Sequence, residues 1–263
     1  MWLAAGDWVI NDTIVDVDVA AGSRPFDGFA FRGSGRRITR INLDPSFPSG
    51  AAVFKLYGSD EAFVDGGLHN PEFHDFGVLD PTFERTVKAH VIDARFCHRG
   101  LVSNVGGYHV DGAVHEYRRC DPSRTCGNNL MSNCQILGSV GWGMVLDGVR
   151  RKALAPHRFE GLANGSGRTG HVLMNDCKEV SFLGTRFGQT GGPVQVRIID
   201  SRGTLFSGSR WTKVCDGEVA LLLERSTDHT IVERANTVNI NGGIAFDDQS
   251  SGGATNVFDA AVY

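Results

Sequence analysis

Four segments of the C-terminal half can be laid under one another: VLMNDCKEVSFLGTRFG from Val172, VQVRIIDSRGTLFSGSRW from Val194, VALLLERSTDHTIVERANT from Val219 and IAFDDQSSGGATNVFDAAVY from Ile244. Their starts are 22, 25 and 25 residues apart. Each opens with a β-rich run, turns through polar residues and offers a second apolar run, in which Phe182, Phe206, Val232 and Phe258 fall in equivalent places. Gly184 matches Gly208, Arg186 matches Arg210, and Phe187 matches Trp211 and Tyr263. A unit this short cannot bury its own apolar face, so neighbours must stack on it. Two strand-type runs per unit at this period predict an all-β solenoid, a single-stranded parallel β-helix with coils of about 22–26 residues.

The rest of the chain fits this frame with less regularity. DTIVDVDV alternates as a strand around Ile14, and Phe29 and Phe31 run into the Gly33-Ser34-Gly35 turn. AVFKLYGSD, EFHDFGVLD and KAHVIDARF read as further strand runs, the first of them repeating the strand-then-glycine form of FAFRGSG. With 34 glycines spread through the chain, no window supports a long helix. Two polar, Gly-rich stretches, about 98–129 and 148–170, interrupt the rhythm and are expected to leave a single β-helix domain (1–263) as loops on one face. Inward side chains should form columns between coils, and Cys134 and Cys177, in the similar contexts MSNC and MNDC, should occupy equivalent inward positions. The last run, NVFDAAVY, carries no capping helix, and an open solenoid end presents unpaired strand edges. That predicts cover by a partner subunit or a further domain.

Charge and composition narrow the partners. Lys and Arg total 26 against 30 Asp and Glu, a net charge of −4 with the signs mixed. This gives no electrostatic reason to expect nucleic acid or an anionic membrane. No apolar run approaches the length of a membrane span, and the start, MWLAAGDWVIND, lacks the basic and apolar regions of a signal peptide. The six cysteines do not form a disulfide scaffold, although Cys120 and Cys126 bracket a short loop that a disulfide would close. Without a CxxC pair, a zinc site drawing on His98, His109 or His115 is not expected, and no cofactor is implied.

The opening of the chain then carries a resemblance. Gly6, Asp7, Trp8, Val9 and Ile10, followed by Phe31, Gly33, Gly35, Ile38, Thr39 and Ile41, resemble the first coils of pectate-lyase-like right-handed parallel β-helices of the phage tailspike and depolymerase type. The resemblance implies a virion-associated protein, a homotrimer or a partner of other virion proteins, that binds a bacterial surface polysaccharide and in some relatives cleaves it. A non-catalytic structural or adhesive virion component, and a free secreted lyase or hydrolase, are the alternatives.

Cleavage needs chemistry that the sequence does not spell out. Glycoside hydrolysis uses two flanking carboxyls. Asp247-Asp248 looks paired but lacks the following motifs of polygalacturonase-like helices, and reads as a solvated turn. Asp200 reads as a turn former. The expected site therefore lies beside the first insertion, with Asp111 and Glu116 as carboxyls, His109 for proton transfer, and Arg118, Tyr108 and Trp142 binding the sugar.

Overall fold

The computed structural model describes residues 1–18, 26–58, 68–84, 87–95, 97–110, 115–118, 129–149, 157–165, 168–251 and 255–263. The described strands form three sheets, every strand pairing parallel to its neighbour one turn away. The chain is a single-stranded right-handed parallel β-helix. A crossover between parallel strands of one sheet takes the right-handed path almost without exception. Each coil contributes three strands, rather than the two that the repeat suggested, in the order sheet 1, sheet 2, sheet 3.

Sheet 1 matters most below. Its strands, from first coil to last, are Gly6–Ile10, Thr39–Leu43, Gly77–Leu79, Gly106–Tyr108, Gln135–Leu137, Ala163–Gly165, Arg186–Phe187, Arg210–Cys215, Thr237–Asn241 and Ala261–Val262. Sheet 2 begins at Val15–Asp18 and ends at Ile244–Ser250, and sheet 3 runs from Phe26–Arg32 to Val257–Phe258.

The two stretches read as loop insertions contain coil. Leu101–Ser103, Gly106–Tyr108 and His115–Arg118 lie in the first, one strand for each sheet. His157–Glu160 and Ala163–Gly165 lie in the second. Their glycines and polar residues disguised strands of three or four residues as loop. Asp247 and Asp248 likewise belong to the strand Ile244–Ser250, not to a turn.

Columns hold the coils together. On sheet 3, Phe31, Phe73, Val102, Met131, Phe159, Phe182, Phe206, Val232 and Phe258 are register partners from coil to coil. Phe159, Phe182 and Phe206 stack face to face at centroid separations of 5.0 Å. Burying one such ring stabilises the fold by roughly 2–3 kcal/mol. On sheet 1, Phe187 pairs with Trp211, then Val238 and Val262. Val262, not Tyr263, completes that column. In sheet 2, Val172 pairs with Val196, two residues beyond the expected Val194.

The corners are as regular as the strands. Where the chain passes from sheet 3 to sheet 1, one residue in each of six successive coils turns with positive φ: Asp75, Asn104, Asn133, Gly161, Gly184 and Gly208, at 50–62°. Glycine pays no Cβ penalty there, and Asn and Asp tolerate the conformation best among other residues. The first five donate their N–H to a carbonyl of the next coil, as Asn104 does to Ser132 and Asn133 to Glu160, both at 3.0 Å. Cys134 and Cys177 each follow such a residue and are buried, but at different corners, sheet 3 to sheet 1 and sheet 2 to sheet 3. They share a local geometry and not a column. Burial pushes both thiols up to about 12, as it does Cys97. Cys120 and Cys126 lie outside the described residues. Among the described residues no His, Cys, Asp and Glu cluster fit for a metal occurs, and no helix is long and apolar enough to cross a membrane.

Candidate functional site

The outward face of sheet 1 carries three hollows. The first, about 430 Å³, is lined by Arg36, Arg37, Arg40, Leu79, Phe83, Tyr108, His109, Gln135 and Leu137. The second, about 370 Å³, continues from Gln135 and Leu137 past Asn164, Gly165, Arg186 and Gln189 to Thr212 and Lys213. The third, about 430 Å³, starts from Thr212 and Lys213 and reaches Tyr263. Shared lining residues join the hollows end to end, so they form one groove along the helix axis. It crosses eight strands, from Thr39–Leu43 to Thr237–Asn241, which at about 4.8 Å per strand spans roughly 34 Å.

Local sequence explains the shape of the first hollow. Gly77 and Gly106 take successive outward positions on sheet 1. A Cβ on Gly77 would meet the Arg36 carbonyl oxygen at 2.4 Å, and one on Gly106 would meet the Tyr108 hydroxyl at the same distance. The missing side chains let the 34–38 turn and the Tyr108 ring lie down on the sheet. The Tyr108 hydroxyl bonds Gln135 at 2.9 Å. Burial raises the Tyr108 pKa, against the pull of Arg36 and Arg37. Arg36 donates from Nη1 to the Asn133 carbonyl at 2.8 Å, which fixes its guanidinium over the corner. His109 turns with φ 58° and meets Phe83 edge-on at 5.0 Å.

At the other end a β-bulge shapes the groove. The register with the next strand shifts between Trp211 and Val214. Lys213 sits in that bulge with φ 56° and is exposed. Bulges re-aim side chains, and a non-glycine residue held at positive φ is strained. Here the distortion places Thr212 and Lys213 where the second and third hollows meet.

Of the six residues expected to form the site, Tyr108 and His109 line this groove. Asp111 lies outside the described residues. Glu116 and Arg118 belong to His115–Arg118 in sheet 2, in register with Asp93 and Arg95, so a corner of the coil separates their strand from the groove. Trp142 opens a sheet 2 strand and is half-buried over Gly170, whose added Cβ would meet its ring at 2.2 Å. It packs on the neighbouring coil and is not part of the groove. Sequence reasoning missed Arg36, Arg37, Arg40, Gln135, Arg186, Arg210 and Lys213. The match of Arg186 with Arg210 was visible as a repeat, and it was the signal to follow. No carboxylate lines any of the three hollows among the described residues. The groove as described can hold and orient a polymer, but it does not carry the carboxyl pair of a glycoside hydrolase.

No protein-family model and no curated protein matches the chain. Solved structures do. ORF18 of Geobacillus virus E2 aligns with 95% of this chain and 52% of its own at 9% identity, with a TM-score of 0.55. The A-module of the mannuronan C-5 epimerase AlgE4 of Azotobacter vinelandii aligns over 99% and 86% at 12% identity and a TM-score of 0.48. Tailspike protein gp49 of Acinetobacter baumannii bacteriophage Fri1, a capsular polysaccharide depolymerase, aligns over 97% and 56% at 11% identity and a TM-score of 0.47. This chain spans about half the length of the two phage proteins. At these identities the likeness is one of fold alone, a single-stranded parallel β-helix. Sites are grafted onto folds, so activity has to be argued from the groove.

Proposed function

We propose that this is a virion-associated, tailspike-like β-helix that binds a bacterial surface polysaccharide along sheet 1. The observation that carries the reading is the end-to-end groove, whose length and direction suit a linear polymer and not a compact ligand. Tyr108 offers a ring laid along the groove floor, and Gln135, Gln189 and Thr212 offer hydrogen bonds at intervals along it. The virion setting and a homotrimer rest on the resemblance of the opening coils. Light scattering checks the second, since a monomer removes it.

Binding without cleavage is the form the groove favours, because its described lining has no carboxyl. Depolymerisation is the second reading. It is favoured by His109, which lines the first hollow two residues before Asp111 in the sequence. The deciding experiment incubates the protein with capsular, lipopolysaccharide and uronate polymers and follows their chain length by size exclusion. Co-elution without shortening supports the adhesin. Shortening that Asp111→Asn abolishes supports the depolymerase. Gly165→Phe, which fills the middle of the groove, should abolish binding in either case. Full binding by that variant, with its fold intact, moves the site off sheet 1.

A further inference from the structure

We propose that the polymer on sheet 1 is polyanionic, a glycan with a carboxylate or phosphate in its repeating unit. The proposal rests on the groove being the glycan site, and adds the chemistry of the ligand. Six cations line the three hollows: Arg36, Arg37, Arg40, Arg186, Arg210 and Lys213. Among the described residues only Arg40 has an acidic partner, Asp7 at 2.6 Å, at the outer end of the groove.

Five cations on the other faces are neutralised within the molecule. On sheets 2 and 3 and their shared corner, Lys55 pairs with Asp16, Arg197 with Glu224, Arg32 with Glu72, Arg158 with Glu160 and Arg225 with Asp200. Arg186 and Arg210 are direct register partners, both exposed. Like charges opposite one another in a sheet destabilise it. Lys213 adds a third positive charge from a strained bulge beside them. In a chain of net charge −4, six cations on one strip, five of them without an acidic partner among the described residues, give that strip a positive local potential.

The spacing favours a glycan over a nucleic acid. Arg40 and Arg186 stand five strands apart, roughly 24 Å. The outward row between them, Gly77, Gly106, Gln135 and Ala163, is neutral, and Arg36 reaches over it to the Asn133 carbonyl. One nucleic-acid strand places a phosphate every ~3.4 Å and would set about seven of them along a stretch with so few cations. A glycan carries at most one acid per sugar in its backbone and sets fewer charges there.

The test titrates the full chain with polygalacturonate, alginate and hyaluronate, each beside its carboxyl-reduced form, with a glycerol-phosphate teichoic acid beside neutral dextran, and with duplex DNA. The expected result is binding of an anionic glycan that its neutral counterpart loses. That binding should weaken at least about tenfold in Arg186→Glu/Arg210→Glu, less in the double alanine variant, and not in Arg197→Ala. Preference among uronates or for teichoic acid tells carboxylate from phosphate. Equal binding of charged and neutral forms overturns the polyanion and leaves the groove reading standing. DNA bound as tightly as any glycan also overturns it. Binding of no polymer removes both readings.

Discussion

Sheets 1 and 2 are built on the same coils, with the same pitch and largely apolar inner faces, yet they treat charge differently. Outward on sheet 2, Arg197 meets Glu224 through two hydrogen bonds of 2.5 and 3.0 Å, and Lys55 reaches Asp16 at 3.0 Å. Outward on sheet 1, Arg186 meets Arg210. The first arrangement is complete within the molecule. The second is complete only with a counter-charge from outside. In a solenoid, where every coil gives each face the same backbone, function is what distinguishes one face from another.

The comparison can be broken first at what both faces share. Phe206→Ala removes a ring stacked on Phe182 and packed against Phe187 and Trp211. It should cost about 3–5 kcal/mol in denaturant unfolding. Loss of the groove alone, with sheet 2 intact, would show that the sheets are not one cooperative unit.

His171 is next in size. It lies in a sheet 2 strand and bonds the Gly188 carbonyl at 2.6 Å, close behind sheet 1. Burial lowers its pKa to about 4, against the upward pull of that hydrogen bond. The unfolded chain takes up the proton first as pH falls, so stability is intact above about 6.5 and is lost from there towards pH 4. The loss is on the order of 3 kcal/mol. His171→Leu should flatten that part of the stability–pH curve, and an unchanged slope would assign it to other groups.

The corner is a smaller test. Asn133→Ala should cost about 1 kcal/mol through its positive φ, and Asn133→Gly should be close to neutral. Smallest and most direct are the two arginines. Arg197→Ala should lower stability by about 0.5–1 kcal/mol, whereas Arg186→Ala should leave the melting temperature unchanged or raise it. A clear loss in Arg186→Ala would mean that the sheet 1 cations are structural after all. Peptide-mapped alkylation of the native protein adds a check on the core: Cys97, Cys134 and Cys177 should stay unlabelled, and half-buried Cys215 should react.

The residues show why some of this was readable in the sequence. The last four members of the sheet 3 column stood out because large side chains recur at constant offset. The sheet 1 column was misjudged at its end because corners vary in length. Phe182 and Phe206 precede their sheet 1 partners Phe187 and Trp211 by five residues, while Val232 precedes Val238 by six and Phe258 precedes Val262 by four. Strands of three residues such as Gly106–Tyr108 and Ala163–Gly165 gave no alternation to detect. The groove was hidden for a different reason. Its neighbours are one coil apart in space and some two dozen residues apart in sequence, and its defining property is the lack of acids across several coils, which no local motif records.

The corner residues of positive φ, five of them bonded to the next coil, have a consequence for how such a surface changes over time. They and the strand pairing hold every coil at one repeat distance. A substitution on the outward row of sheet 1 therefore alters what a rung of the ladder carries, but it cannot alter where the rung stands. Moving a cation means moving it by a whole coil. Ligand preference on this face is digital: it shifts in steps of one strand spacing, and a bulge such as that at Lys213 is the means of placing a group between rungs.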